Sequence, residues 1–246
     1  MTLAGARPTT AMVLAAGMGV RMQPLTDALP KPLIELAGRT LIDHVLDRLR
    51  DAGVRRAVVN VHYLADMLEA HLAARAAPEI VFADERGALL DTGGGVVGAL
   101  SLLGEHPFFI HNSDSVWIER GAPALESMIA AWDDARMDSL MLLAPAAASL
   151  GYHGRGDFEM TRGGALARPR HGPAAPHVFA GVSIAHPRMF DGAPQGRYSL
   201  NALWDRAIAD GRLYGVTLEG LWMHVGTPEA LAEADAAIAA EQARGA

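Results

Sequence analysis

The sequence predicts an α/β protein of three layers, with helices on both faces of a mainly parallel central sheet. Three observations carry this expectation. Short, wholly apolar runs that suit strands buried on both faces recur along the chain. Segments of helical spacing separate them, and the alternation of strand, helix and strand repeats in units long enough for parallel crossovers. At 246 residues the chain can bury a sizeable core.

The first run, residues 11–16, is closed by Gly17. After a proline-rich connection, Leu41, Ile42, Val45, Leu46 and Leu49 recur at helical spacing as far as Ala52, and Gly53 supplies a C-cap. Residues 57–61 read as the next strand. Residues 63–76 read as a helix with Leu64, Met67, Leu68, His71 and Leu72 on one face, and 80–82 as a strand. Helices over 95–103 and 122–135 then alternate with strands over 108–110 and 139–143. From 145 to about 176, many glycines, prolines and arginines predict loops with a small hairpin insertion. A strand over 178–184, a helix over 200–209, a strand over 213–217 and a last helix from Pro228 to about Gln242 complete the pattern. Residues 1–10 are expected to form a flexible N-terminal tail and 11–246 a single domain.

Half of the residues are apolar and a fifth charged, an ordinary globular balance. The formal charge of -7 argues against nucleic acid or an anionic membrane as partner, since both are polyanions. Without cysteine, disulfides, thiolate metal sites and cysteine nucleophiles are excluded. The N-terminus lacks the apolar run of a secretory signal and no segment has the length of a membrane span, so a soluble, cytoplasmic protein is expected. Of 21 basic residues 20 are arginine, leaving Lys31 as the single lysine, a compact ammonium that a guanidinium fork does not replace.

The first strand runs into Gly17-Met18-Gly19-Val20-Arg21-Met22, a turn whose backbone N–H groups can cradle phosphate oxygens. A dinucleotide fold would place a third glycine where Met22 stands and a helix directly afterwards, which Pro24, Pro30 and Pro32 oppose. The Gly-Lys-Ser or Gly-Lys-Thr ending of a P-loop is absent too. Taken with Pro24-Leu25-Thr26 and Pro30-Lys31-Pro32-Leu33, the loop resembles the signature of the sugar-1-phosphate nucleotidyltransferases over some twenty positions; Val20 stands where that family usually has threonine. The resemblance implies a Rossmann-like αβα nucleotidyltransferase fold. It also implies that Ala15, Gly17, Gly19, Val20 and Arg21 wrap a nucleoside triphosphate while Lys31 bridges the reacting phosphates.

Downstream, Asp114 follows an apolar strand, and a carboxylate there can hold Mg²⁺ against phosphate oxygens or merely cap a turn. The resemblance favours the metal, although Ser113 replaces the family's usual glycine. In 222–228 the family carries a second metal-binding aspartate where this chain has His224, an imidazole better suited to Mn²⁺, Co²⁺ or Zn²⁺ than to Mg²⁺, or able to bind phosphate as a cation without touching metal. Asp91, Thr92 and Gly93 resemble the family's segment beside the nucleotide, and are also a plausible helix start. Asn60, at a strand end, can reach the nucleoside or be a satisfied loop residue. The segment 152–158, with 91–95 and 179–183, resembles the bacterial N-acetylmuramic acid 1-phosphate uridylyltransferases of peptidoglycan recycling. That likeness implies Asn112, Asp157 and Gly181 near the acceptor sugar.

The implied reaction is attack of a sugar 1-phosphate on the α-phosphorus of an NTP, UTP by this comparison, with Arg21, Lys31 and Asp114 catalytic and Mg²⁺ (or Mn²⁺, given His224) as cofactor. A monomer or homodimer is expected. The rivals are a mannose- or heptose-1-phosphate guanylyltransferase and, because of Ser113 and His224, a nucleotide-sugar-binding regulator without catalysis.

Overall fold

The computed structural model describes residues 7–169 and 174–245. Seven strands form the main sheet: β1 (Thr10–Leu14), β4 (Arg56–Val61), β5 (Glu79–Asp84), β6 (Phe108–Asn112), β8 (Ser139–Pro145), β11 (His177–Ala185) and β12 (Leu213–Thr217), in the order β12-β8-β11-β6-β1-β4-β5. All neighbouring pairs are parallel except the two made by β11, which runs against β6 and β8. From β1 the chain moves outward through β4 to β5, then returns to lay β6 on the other side of β1. The carboxyl ends of β1 and β6 therefore flank the topological switch point, where open sheets form their ligand crevice.

Strand alternation divides the apolar residues between two faces. On one, Ala11, Val13, Val59 and Phe109 pack with α1 (Leu41–Asp51), α2 (Ala65–Leu72) and α4 (Ala124–Ala131). On the other, Met12, Val58, Phe108 and Ile110 pack with α3 (Asp91–Leu103) and α5 (Asn201–Ala209). The three layers are those the sequence predicts. A third cluster joins α6 (Pro228–Gly245) to two antiparallel pairs, β2 (Glu35–Leu36) with β3 (Arg39–Thr40) and β7 (Ser115–Glu119) with β13 (Gly220–His224). The sequence reading contains neither pair. The expected small hairpin is β9 (Glu159–Met160) with β10 (Leu166–Ala167).

Some element ends differ from expectation. Helix α2 begins late because Leu64 takes a left-handed conformation (φ 48°), and Met67, expected on the packed face, is 41% exposed while Ala65, Leu68 and Leu72 are buried. His71 turns outward to Asp43, 2.9 Å away. Helix α4 stops at Ala131 because Trp132 is extended, and α3 starts at Asp91, four residues before the expected Gly95. Of the tail expected over 1–10, residues 1–6 lie outside the described residues. Arg7 donates from Nε and Nη2 to the Ala52 carbonyl (3.0 and 2.8 Å), and Thr10 already belongs to β1.

His111 on β6 is fully buried, stacked on Trp117 with 5.6 Å between ring centres. Its Nδ1 donates to the Asn112 carbonyl (2.8 Å), and Nε2 has no partner among the described residues. Burial is the main cause that pushes its pKa down to about 4, from the ordinary 6.5. The unfolded chain thus binds a proton at this site that the folded one refuses. Stability from this residue is complete above pH 6.5 and falls by about 3 kcal/mol as pH drops towards 4. Urea unfolding of the wild type and of His111→Gln between pH 7 and 4.5 should give a shallower pH slope in the variant.

Candidate active site

Four parallel strands deliver their loops to one edge of the sheet. The glycine loop follows β1, Glu85 follows β5, and Ser113 and Asp114 follow β6, while Asn60 sits near the end of β4. Between them lies a cleft of about 320 Å³, lined among others by Gly17, Gly19, Arg21, Lys31, Asn60 and Asp114.

The loop owes its shape to Gly19, whose φ of 65° suits glycine and whose missing Cβ would meet Thr26 Cγ2 at 2.9 Å and Lys31 Cβ at 3.0 Å. The Gly19 carbonyl accepts from the Met22 amide (2.8 Å) and from the buried Thr26 hydroxyl (3.0 Å), so the turn is tied to the segment that carries Lys31. The N–H groups of Ala16, Gly17, Met18 and Gly19 have no hydrogen-bond partner among the described residues, a condition that suits an anion cradle. Val20 and Arg21 are exposed at the rim, and Arg21 makes no ion pair among the described residues.

Lys31 is 9% exposed and begins a single 3-10 turn, Lys31–Leu33. Its Nζ forms an ion pair with Asp114 Oδ2. Burial works to raise the Asp114 pKa, but the charge and hydrogen bond of Lys31, with a smaller contribution from His224, outweigh it and hold the carboxyl below its usual range. His224 comes near because β13 pairs with β7 in a register that sets His224 opposite Ser115, the neighbour of Asp114. Burial, opposed by Asp114 and reinforced by Arg21 and Lys31, lowers the imidazole pKa, so the ring is neutral near pH 7. Neither ring nitrogen has a hydrogen bond among the described residues. His224 lines an adjoining cleft of about 310 Å³ that shares Arg21 and Gly226 with the main one.

These residues fit a divalent cation shared with phosphate oxygens. An ionised carboxylate and a neutral imidazole are available. No group of three or more His, Cys, Asp or Glu gathers among the described residues, so the remaining donors would be substrate oxygens and water, the usual manner of Mg²⁺ binding. The imidazole suits Mn²⁺, Co²⁺ or Zn²⁺ better.

Other expected residues have structural duties. The Ala15 N–H donates to Asn60 Oδ1 (2.7 Å) and is unavailable to a ligand; Asn60 Nδ2 donates to Glu85 Oε1 (2.7 Å), and Glu85 Oε2 accepts from the Leu90 amide (3.0 Å). This buried clip joins β1, β4 and the start of α3. Glu85 lines the cleft and was missed, the only clue being an acid just past an apolar strand. Asp91 and Thr92 line the cleft in the first turn of α3, whereas Gly93 faces away, where a Cβ would meet the Tyr198 ring at 2.5 Å. A second pocket of about 270 Å³, sharing Asp91, Thr92 and Asn112 with the cleft, also contains Asp157, whose Oδ2 accepts from the Phe179 amide (2.9 Å). Gly181 lines neither; it packs behind them, where a Cβ would meet Ser115 Cβ at 2.6 Å.

Unpaired loop amides at a switch point, facing an ion pair between a buried lysine and a half-buried aspartate, are the arrangement of an α/β enzyme that handles nucleotide phosphates. The chain belongs to the nucleotidyl transferase family, whose model matches residues 10–152. It is 52% identical over 236 residues to the N-acetylmuramate alpha-1-phosphate uridylyltransferase of Caulobacter vibrioides, covering 94% of this chain and 98% of that one. It is 34% identical to the protein of the same name from Neisseria meningitidis serogroup B, covering 92% and 96%. Among solved structures, UDP-glucose pyrophosphorylase complexed with UDP-glucose superposes with a TM-score of 0.75 at 16% identity, covering 95% of this chain and 99% of that one. The inositol-1-phosphate CTP transferase from T. maritima gives 0.73 at 16%, covering 94% and 97%. At these identities the two structures show a shared fold.

Replacing Asn60 with alanine leaves the Ala15 amide and a buried Glu85 oxygen unpaired together. Asn60→Ala should lose about 3 kcal/mol of stability in urea unfolding; a loss below about 0.5 kcal/mol would show that the clip is dispensable.

Proposed function

We propose that this chain transfers UMP from UTP to N-acetylmuramic acid 1-phosphate, releasing pyrophosphate, in cytoplasmic peptidoglycan recycling, working as a monomer or homodimer. The observation that carries this reading is the convergence of Arg21, Lys31 and Asp114 on one cleft, in a chain similar over nearly its whole length to two uridylyltransferases. No helix among the described residues is long and apolar enough to cross a membrane.

In the proposed reaction a phosphate oxygen of the sugar 1-phosphate attacks the α-phosphorus, the bond to the bridging oxygen of the β-phosphate breaks, and pyrophosphate leaves opposite. The nucleophile is already an anion, so no side chain has to accept its proton, and catalysis rests on alignment and charge neutralisation. The amides of residues 16–19 and Arg21, all without a partner among the described residues, hold the β- and γ-phosphates. Lys31 exchanges Asp114 for the α-phosphate oxygens, where its ammonium offsets the charge that grows in the transition state. Asp114 and His224 would hold a divalent cation, Mg²⁺ or Mn²⁺, which would supply further charge neutralisation. Asp91 and Thr92 border the nucleoside, and Asn112 and Asp157 the sugar.

Pyrophosphate release measured over UTP, GTP, CTP, ATP and dTTP with several sugar 1-phosphates tests the reading, which expects turnover for UTP with N-acetylmuramic acid 1-phosphate. The mannose-1-phosphate guanyltransferase beta-A of Xenopus laevis is also similar, 28% identical over 89% of this chain but only 61% of its own length. A preference for GTP with mannose 1-phosphate would overturn the uridylyl assignment. In protein that remains folded, Lys31→Ala should lower kcat by about 100-fold or more, with some loss of melting temperature because Asp114 is left without its partner. His224→Asp should raise activity with Mg²⁺ relative to Mn²⁺; an unchanged ratio would remove His224 from the metal.

A further inference from the structure

The pocket that adjoins the main cleft has one cation among its described lining residues, Arg168, against two carboxylates, Asp91 and Asp157. Arg168 follows the β9–β10 hairpin and reaches across to α5. Its Nε donates to Asp205 Oδ1 (2.7 Å), its Nη2 donates to Asn201 Oδ1 (2.6 Å), and its guanidinium carbon lies 4.6 Å from the centre of the Phe158 ring. Nη1 has no hydrogen bond among the described residues. A guanidinium fixed by a carboxylate, an amide and an aromatic face has already given up most of its rotamer freedom. It can therefore offer its free edge to an incoming acceptor at little further entropic cost.

The carboxylates of the pocket are used differently. Asp157 Oδ2 takes the Phe179 amide and Asp91 Oδ1 takes the Thr92 amide (2.6 Å), so both remain as fixed negative charge in the wall. A neutral hexose meets no electrostatic penalty there. Among the described lining residues, a hexose bearing an acidic substituent is repelled at both aspartates and attracted only at Arg168, through the edge that carries Nη1. We propose that Arg168 determines acceptor specificity by binding the carboxylate of an acidic substituent on the sugar, so that the pocket selects carboxylated hexose 1-phosphates over neutral ones. The inference rests on the proposed acceptor, since N-acetylmuramic acid differs from N-acetylglucosamine by one lactyl ether and its carboxylate.

The test compares kcat/KM for N-acetylmuramic acid 1-phosphate and N-acetylglucosamine 1-phosphate with saturating UTP, in the wild type and in Arg168→Gln. A ratio of the two acceptors does not depend on how much of a variant is folded. Wild type should prefer the acidic acceptor, and Arg168→Gln should lower that preference by about tenfold or more, through KM rather than kcat, the scale of one charge-assisted hydrogen bond. The methyl ester of the lactyl carboxylate, tested on the wild type, should lose the same factor with no mutation at all, and Arg168→Lys should restore part of the preference. A preference unchanged within twofold in Arg168→Gln, or an ester used as well as the acid, would overturn the assignment while leaving the proposed function standing. A wild type that turns over neither acceptor would overturn the proposed function itself.

Discussion

The ion pair between Lys31 and Asp114 is the interaction on which the rest of the site depends. It joins residues 83 positions apart, uses the only lysine of the chain and lies at the switch point of the sheet. Each partner alone would be costly there. Lys31 is 9% exposed, and although burial acts to raise the Asp114 pKa, the facing lysine outweighs it. In the proposed reaction the pair is temporary: a phosphate oxygen replaces Asp114 at Lys31, and a cation would replace Lys31 at Asp114. Both proposed exchanges conserve charge compensation, so loading of substrate leaves neither ion without a partner.

What surrounds the pair is built to stay still. Gly19 brings the loop backbone against the Lys31 stem, and the Asn60–Glu85 clip ties β1 and β4 to α3. Ser115, next to Asp114, bonds the Ala180 carbonyl and accepts from Trp222 Nε1 (3.0 Å), linking β7, β11 and β13. In the proposed reaction, walls tied in this way leave the exchange of partners to two side chains, which fits catalysis by alignment rather than by a protein nucleophile.

The layers and the site differ in how they could be read from the sequence. The buried parallel strands announce themselves as apolar runs, and the glycine loop, Lys31 and Asp114 fall in short contiguous segments whose chemistry is local. Pairs such as β7 with β13 are set by register between residues more than a hundred positions apart, and no local pattern encodes that. The ends of α2 and α4 depend on single backbone conformations at Leu64 and Trp132 that periodicity does not see. Glu85 is one acid beyond a strand, and its importance emerges only when Asn60 and Leu90 converge on it. Ala15 shows the reverse, since a backbone amide in the segment expected to wrap phosphates is committed to Asn60. Arg168 sits in an arginine-rich stretch where sequence alone gave no reason to single it out.

The most direct test of the ion pair is the affinity of the protein for UTP in chelator, compared between wild type and Asp114→Asn by calorimetry. The substitution keeps the shape of the side chain, frees Lys31 and removes a negative charge that faces the triphosphate. If Lys31 trades Asp114 for phosphate, Asp114→Asn binds metal-free UTP more tightly than wild type, by about tenfold, while its turnover with Mg²⁺ or Mn²⁺ collapses. Equal or weaker binding by the variant would contradict the exchange and with it the account of how the site works.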